Sequence, residues 1–181
     1  MANSRTKGKG GEYEVSDLIF NNTGVRLTRN LDQVREGGYD LIVDVEKSGR
    51  DASMELIRFF SNTAIEVKRY KDAKASTING WWEQAVRQSL RYNNIPILVY
   101  RLDRQRWNVV VPSWFVLHDG MVGLERRTSE NSTLEYALTM SVTAFLSVLN
   151  HKFGEFIKVN GDVKPVSEPT QTRRSRRVVT I

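Results

Sequence analysis

The eight residues Ile95-Pro96-Ile97-Leu98-Val99-Tyr100-Arg101-Leu102 constrain the fold more than any other stretch. A short run this apolar reads as a strand buried on both faces, the kind found in sheets with helices packed on either side. It follows the clearest helical pattern in the chain, residues 77–93, where Ile78, Trp81, Trp82, Ala85, Val86 and Leu90 make an apolar stripe. Asn93-Asn94 ends that helix. Before it lies a β-branched run, Ala64-Ile65-Glu66-Val67-Lys68-Arg69, continuing to Tyr70. Strand, helix, strand in this order implies a right-handed crossover between neighbours in one sheet. The expected class is α/β, a mixed central β-sheet flanked by helices.

The remaining patterns extend that core. Val15, Leu18, Ile19 and Phe20 recur at helical spacing, so residues 11–22 read as an amphipathic helix closed by Asn21-Asn22-Thr23-Gly24. Val25 to Arg29 alternates and reads as a strand. A polar loop, 30–38, leads to a second strand from Asp40 to about Glu46. Residues 53–62 read as an insertion between two strands of one hairpin. Trp107 to Val111 is a strand stopped by Pro112, Ser113 to Leu117 a short amphipathic turn, and 118–120 a loop. A last helix is expected over 134–152, with Leu138, Val142, Phe145, Leu146 and Leu149 on one side.

Charge divides the 181 residues. Residues 1–10 hold Arg5, Lys7 and Lys9 and no acid; residues 164–181 hold Lys164, Arg173, Arg174, Arg176 and Arg177 against Glu168. Of the net charge of +6, almost none is left for the stretch between. The reading is a flexible basic arm over 1–10, a domain over 11–153 and a disordered basic tail over 154–181. Basic ends on a neutral body suit a polyanion, since every phosphate contact releases counterions, but they equally serve solubility. With no cysteine there is no disulfide, thiol nucleophile or thiolate metal site. No apolar run approaches the roughly 20 residues of a membrane helix, and the basic N-terminus lacks the apolar segment of a signal peptide. No membrane partner and a cytoplasmic location are expected.

Two acids stand where a strand core would prefer none. Asp40 opens one strand, and Glu66 lies inside another. Strand side chains alternate, so Glu66 and Lys68 share one face and Ile65 and Val67 the other. Two carboxylates can hold a hard cation, the Val67 carbonyl can add an oxygen, and the Lys68 ammonium can offset charge developing on a phosphate. A surface Glu–Lys pair on an edge strand would explain the same residues.

Further segments accompany these acids in a set order. Lys7-Gly8-Lys9-Gly10-Gly11-Glu12-Tyr13-Glu14-Val15 precedes the first helix, Arg29-Asn30-Leu31-Asp32-Gln33 and Gly37-Gly38-Tyr39-Asp40 precede the acidic strand, and Trp81-Trp82-Glu83-Gln84-Ala85-Val86-Arg87-Gln88 follows Glu66-Val67-Lys68. Over residues 7–111 this pattern resembles the PD-(D/E)XK nucleases, and within them the Holliday junction resolvase-like nucleases of archaea and phages. The resemblance implies a restriction-endonuclease-like core over 11–112, with 113–153 as a C-terminal helical extension. It implies a Mg2+-dependent DNA endonuclease, Mn2+ substituting, acting as a homodimer on branched or four-way DNA, in the host cytoplasm if phage-encoded. Glu12, Asp40, Glu66, Lys68 and Gln84 match the catalytic positions, and Glu12, Asp40, Glu66 and the Val67 carbonyl the metal ligands. Arg29 falls where such nucleases carry a basic residue near the scissile phosphate; Lys7, Lys9, Arg69 and Lys71 are the other expected DNA contacts. Tyr39 replaces the motif's proline, Tyr13 stands where relatives often carry arginine, and the gap between Asp40 and Glu66 is long.

Other residues admit ordinary readings. Glu12 and Glu14 fall in the first turn of the expected helix, where acids complement its dipole, and Glu14 is assigned that role alone. Adjacent Trp81 and Trp82 cannot face the same way, so one belongs to the core and one to an interface, although either could stack on a base. His118 reads as a solvent-facing loop residue and His151 as a dipole complement.

Overall fold

The computed structural model describes residues 4–31, 38–117 and 136–153. Helix α1 (Ser4–Thr23) leads into β1 (Leu27–Arg29) and β2 (Leu41–Val43); α2 (Met54–Ser61) follows, then β3 (Thr63–Tyr70), α3 (Ala75–Tyr92), β4 (Ile95–Leu102), β5 (Asn108–Pro112), the short α4 (Ser113–Leu117), β6 (Ala137–Ser141) and α5 (Val142–Phe153). The six strands form one sheet in chain order, antiparallel throughout except for β3 and β4. That parallel pair runs in register from Thr63 opposite Ile95 to Tyr70 opposite Leu102, with α3 as the crossover. The expected α/β architecture with a mixed sheet is observed.

Helices cover both faces. Ile65, Val67, Ile97, Val99, Val109 and Val111 meet α1, α2, α4 and α5 on one side, around Phe59 and Phe145. On the other, Leu98, Tyr100 and Val110 meet α3, through Trp81, Trp82, Ala85 and Val86. Strand β4 is buried on both faces, as its composition requires.

Several expectations are corrected. Residues 7–10 belong to α1, which begins at Ser4, so they are not a flexible arm. Glycines are poor helix formers, each costing about 1 kcal/mol relative to alanine, but Gly11 permits close packing. A Cβ on Gly11 would stand 3.2 Å from Arg69 Cβ and 3.4 Å from the Trp107 ring. With the helix starting early, Glu12 and Glu14 are mid-helix, and the dipole reading fails. Residues 53–62 are an amphipathic helix, not an insertion: Ser53 caps α2 by accepting the Leu56 N–H, and Leu56, Ile57, Phe59 and Phe60 are buried. Residues 137–141 are not helical but form the edge strand β6, paired to β5 from Asn108–Ser141 to Pro112–Ala137; α5 begins only at Val142. Both Trp81 and Trp82 are buried, so neither is left for an interface. Leu90 lies outside the stripe and is exposed, while Ser89 is buried. His151 lies in the last turn of α5. His118 and the basic tail over 154–181 lie outside the described residues.

The caps follow local chemistry. Gly24, at φ +73°, closes α1 by donating to the Phe20 carbonyl at 2.8 Å. Asn93, left-handed at φ 52°, closes α3, and Asn94 donates to Ser89 O at 2.9 Å.

Candidate active site

The site forms where β2 leaves β3. The two strands share one register pair, Leu41 opposite Ile65, beside which the Asp40 N–H donates to the Ile65 carbonyl at 2.8 Å. Past that point the Asp40 side chain takes over the ladder: Oδ2 accepts the Val67 N–H at 2.6 Å. A carboxylate so placed satisfies a backbone donor that β2 has abandoned, and fixes its own position.

Strand alternation puts Glu66 and Lys68 on the α3 side, opposite Ile65 and Val67. Glu66 is 1 % exposed. Its Oε1 accepts from Lys68 Nζ at 2.5 Å and from Gln84 Nε2 at 2.8 Å, while Oε2 is buried without a hydrogen-bond partner. Burial first, then the charge of Asp40, pushes the Glu66 carboxyl up to about 7, with Lys68 and Gln88 pulling the other way. Gln88, one turn beyond Gln84 on the same face of α3, donates to the Gly38 carbonyl at 2.8 Å and so ties the helix to the segment carrying Asp40. Sequence reasoning did not select Gln88; its spacing of four from Gln84 was the available signal.

Glu12 approaches from α1, on the opposite face of the sheet, at the same gap. Burial raises its pKa, opposed by Arg29, and the Asp40 charge raises it further. Asp40 thus lies within the field of both glutamates. Arg29 Nε donates to Glu12 Oε2. Glu12 and Arg29 line an open groove of about 310 Å3 between α1 and β1, together with Tyr13, Thr28 and Leu31. Tyr13 and Leu31 are exposed.

The three acids do not stand together as a ligand set. Among the described residues, no group of three or more His, Cys, Asp or Glu side chains could hold a metal ion. Glu12 comes from the opposite face of the sheet and is engaged by Arg29. Asp40 and Glu66 do fit a hard divalent cation: two carboxylates in one field, one buried oxygen without a partner, and a raised pKa that a cation would reverse.

The remaining expected contacts scatter. Arg69 faces away from Lys68; its Nη1 meets Glu14 Oε1 at 2.5 Å, and Arg101 Nη2 meets Glu14 Oε2 at 2.8 Å. Arg101 also stacks on Trp107 at 4.9 Å. Arg69 is therefore an anchor for α1, not a group at the site, and Glu14 is the other half of that anchor. Lys71 is exposed just past β3, Lys9 is exposed on α1 close enough to act on Glu12, and Lys7 lies in the first turns of α1.

The chain is similar to known proteins. Protein D14 of Escherichia phage T5 is 26 % identical over 145 residues, spanning 75 % of this chain and 87 % of D14. The structure of Hjc, a Holliday junction resolvase from Archaeoglobus fulgidus, aligns over 78 % of this chain and 96 % of its own at 17 % identity, with a TM-score of 0.40. No helix among the described residues is long and apolar enough to cross a membrane. The family model described as "Phage putative PDDEXK endonuclease" matches residues 3–162, which include every described residue, and the protein belongs to that family.

Proposed function

We propose that this protein is a metal-dependent DNA endonuclease whose substrate is branched DNA, above all the four-way junction, and whose ion is Mg2+, with Mn2+ able to substitute. The observation carrying this reading is the Glu66 carboxylate, sunk in the core beside Asp40 with one oxygen held by Lys68 and Gln84 and the other unpartnered. Burying a carboxylate this way costs free energy that the fold does not recover, which favours a cation as the missing partner. Membership of an endonuclease family supports hydrolysis. The choice of junction leans on the resemblance of residues 7–111 to junction resolvases.

Asp40 and Glu66 would hold the ion, with the Val67 carbonyl as a further oxygen. A divalent cation bound there supplies the Lewis acidity that polarises a phosphate and activates water. The chain's own residues do the rest. Lys68 keeps an ammonium beside the reacting phosphate and offsets the negative charge that grows on it. Gln84 fixes the rotamer of Glu66. Gln88 holds the Asp40 segment against α3. Arg29, with Lys9 and Lys71, meets the DNA backbone. Paired cuts across a symmetric junction require two such sites, so the working particle is proposed as a two-fold homodimer in the host cytoplasm.

A second reading, a DNA-binding recombination accessory protein that does not cut, is favoured by the engagement of Glu12 with Arg29. A nuclease acting on linear duplex is the third. One assay separates them: labelled junction, duplex and single-stranded DNA incubated with and without Mg2+. Symmetric Mg2+-dependent nicking of the junction, reduced at least about 100-fold by Glu66→Ala or Lys68→Ala with DNA binding kept, is the expected result. Unchanged cutting by Glu66→Ala would overturn the proposal; salt-sensitive binding without cutting selects the accessory protein.

A further inference from the structure

We propose that Arg29 exchanges Glu12 for a DNA backbone phosphate, and that this exchange releases Glu12 to complete the cation site with Asp40 and Glu66. The inference rests on the reading of Asp40 and Glu66 as a metal centre, and makes Arg29 the residue through which DNA and cation binding depend on each other.

Three observations converge. First, Arg29 and Glu12 meet at the wall of the open groove between α1 and β1, so a phosphate entering that groove reaches the guanidinium directly. Their side chains keep 25 % and 13 % of their accessible surface, so the pair is not sealed in the core. The pair reaches solvent at the groove, and a guanidinium meets phosphate through its planar fork with two parallel hydrogen bonds, so a phosphate entering the groove can take the place of the Glu12 carboxylate. Second, Glu12 already lies within the field of Asp40, and Asp40 within that of Glu66. Third, no three-acid ligand set is assembled among the described residues while Arg29 holds Glu12. With Arg29 withdrawn, Glu12 would be a half-buried carboxylate in the field of Asp40, with Lys9 as a neighbouring cation. That like-charge cluster attracts a divalent ion. Linkage makes the effect mutual: phosphate tightens cation binding, and the cation tightens DNA binding by the same factor.

Two binding cycles test this without relying on cutting. In EDTA, the affinity of a fluorescent four-way junction is measured by anisotropy for the full chain and for Glu12→Gln, Arg29→Gln and the double variant. Glu12→Gln is expected to tighten binding about tenfold, an ordinary size for coupling between two sites, and this gain is expected to vanish in the Arg29→Gln background. Separately, Mn2+ binding without DNA is measured by calorimetry. Arg29→Gln is expected to tighten it by a similar factor, and Glu12→Gln to cancel that gain. Gains that persist in both double variants reflect bulk charge alone and overturn the exchange. Asp40→Asn separates the two layers of the argument: if it leaves Mn2+ binding intact, the metal-centre reading itself falls. If it abolishes Mn2+ binding while the cycles are additive, only the exchange falls. Arg29→Lys, which keeps the charge but not the fork, repeats both cycles should Arg29→Gln fail to fold; it is expected to show the same direction with smaller gains, and additive cycles from it overturn the exchange equally.

Discussion

Glu66 stores an electrostatic cost that should be measurable in the metal-free protein. Its carboxyl sits near 7 in the fold, through burial and the neighbouring Asp40, against an ordinary value of 4.5. The folded chain therefore binds a proton more tightly than the unfolded chain between those two values. Stability from this group is complete below about 4.5 and is lost as pH rises to about 7. Thermal melts in EDTA from pH 4.5 to 8 are expected to show a falling contribution that Glu66→Gln, already neutral, removes. Mg2+ added at pH 8 is expected to raise the melting temperature of the parent protein, since a ligand that binds only the folded state stabilises it by mass action. Asp40→Asn should abolish that gain; an equal gain in the variant would count against the two acids as ligands. Asp40 and Glu66 stood out in the sequence because each acid broke a strand pattern, Asp40 opening a strand and Glu66 interrupting an apolar one, whereas Gln84 and Glu12 were singled out only through the resemblance. Which partner each would take was not legible. Nothing in the spacing of Glu12 and Arg29 announces their pair, and Glu14 looked like a dipole residue until Arg69 and Arg101 were seen to grip it.

At the scale of elements, α1 is the piece whose seating matters most, because it carries Glu12. It is seated by apolar contacts of Val15 and Ile19, by the close approach of Gly11 to Arg69 and Trp107, and by Glu14 between two arginines. Glu14→Ala leaves both guanidiniums without that acid beside a half-buried surface. Hydrogen bonds to charged groups contribute about 1.5–3 kcal/mol each when partly buried. A loss of about 2 kcal/mol in denaturant unfolding is expected, together with reduced cleavage, since Glu12 is carried on the same helix; a variant as stable as the parent would refute the anchor. The elements themselves were read unevenly, for physical reasons. β4 was read to the residue, because a continuous apolar run has one solution inside a covered sheet. α1 was begun late, because glycines argue against helix unless a tight contact behind them is known. β6 was absorbed into the last helix, because Leu138, Val142 and Phe145 also fit a helical spacing, and an edge strand with an open face carries little pattern of its own. α2 was passed over although Ser53 and Glu55 mark its start, because eight residues make a weak periodic signal.

For the molecule as a whole, affinity for nucleic acid should come in two parts, one at the groove and one from the basic residues at the end of the sequence. Deleting 164–181, which removes Lys164, Arg173, Arg174, Arg176 and Arg177, is expected to weaken binding to junction and duplex alike and to flatten the dependence of log Kd on log salt. A deletion that changed junction preference instead would mean that these residues read shape. The sheet divides just as unevenly. β3, β4, β5 and β6 are joined by registers of three to eight residue pairs, whereas the β1–β2 ribbon is fastened to β3 by the single pair Leu41–Ile65, the Asp40 N–H on Ile65 and the Asp40 side chain. A ribbon so narrowly stitched to its neighbour should open before the rest of the sheet. Amide protons of residues 27–29 and 41–43 should then trade with deuterium through local opening well before those of 95–102, and the groove that holds Arg29 should widen and narrow with each opening while the floor beneath Glu66 stays still.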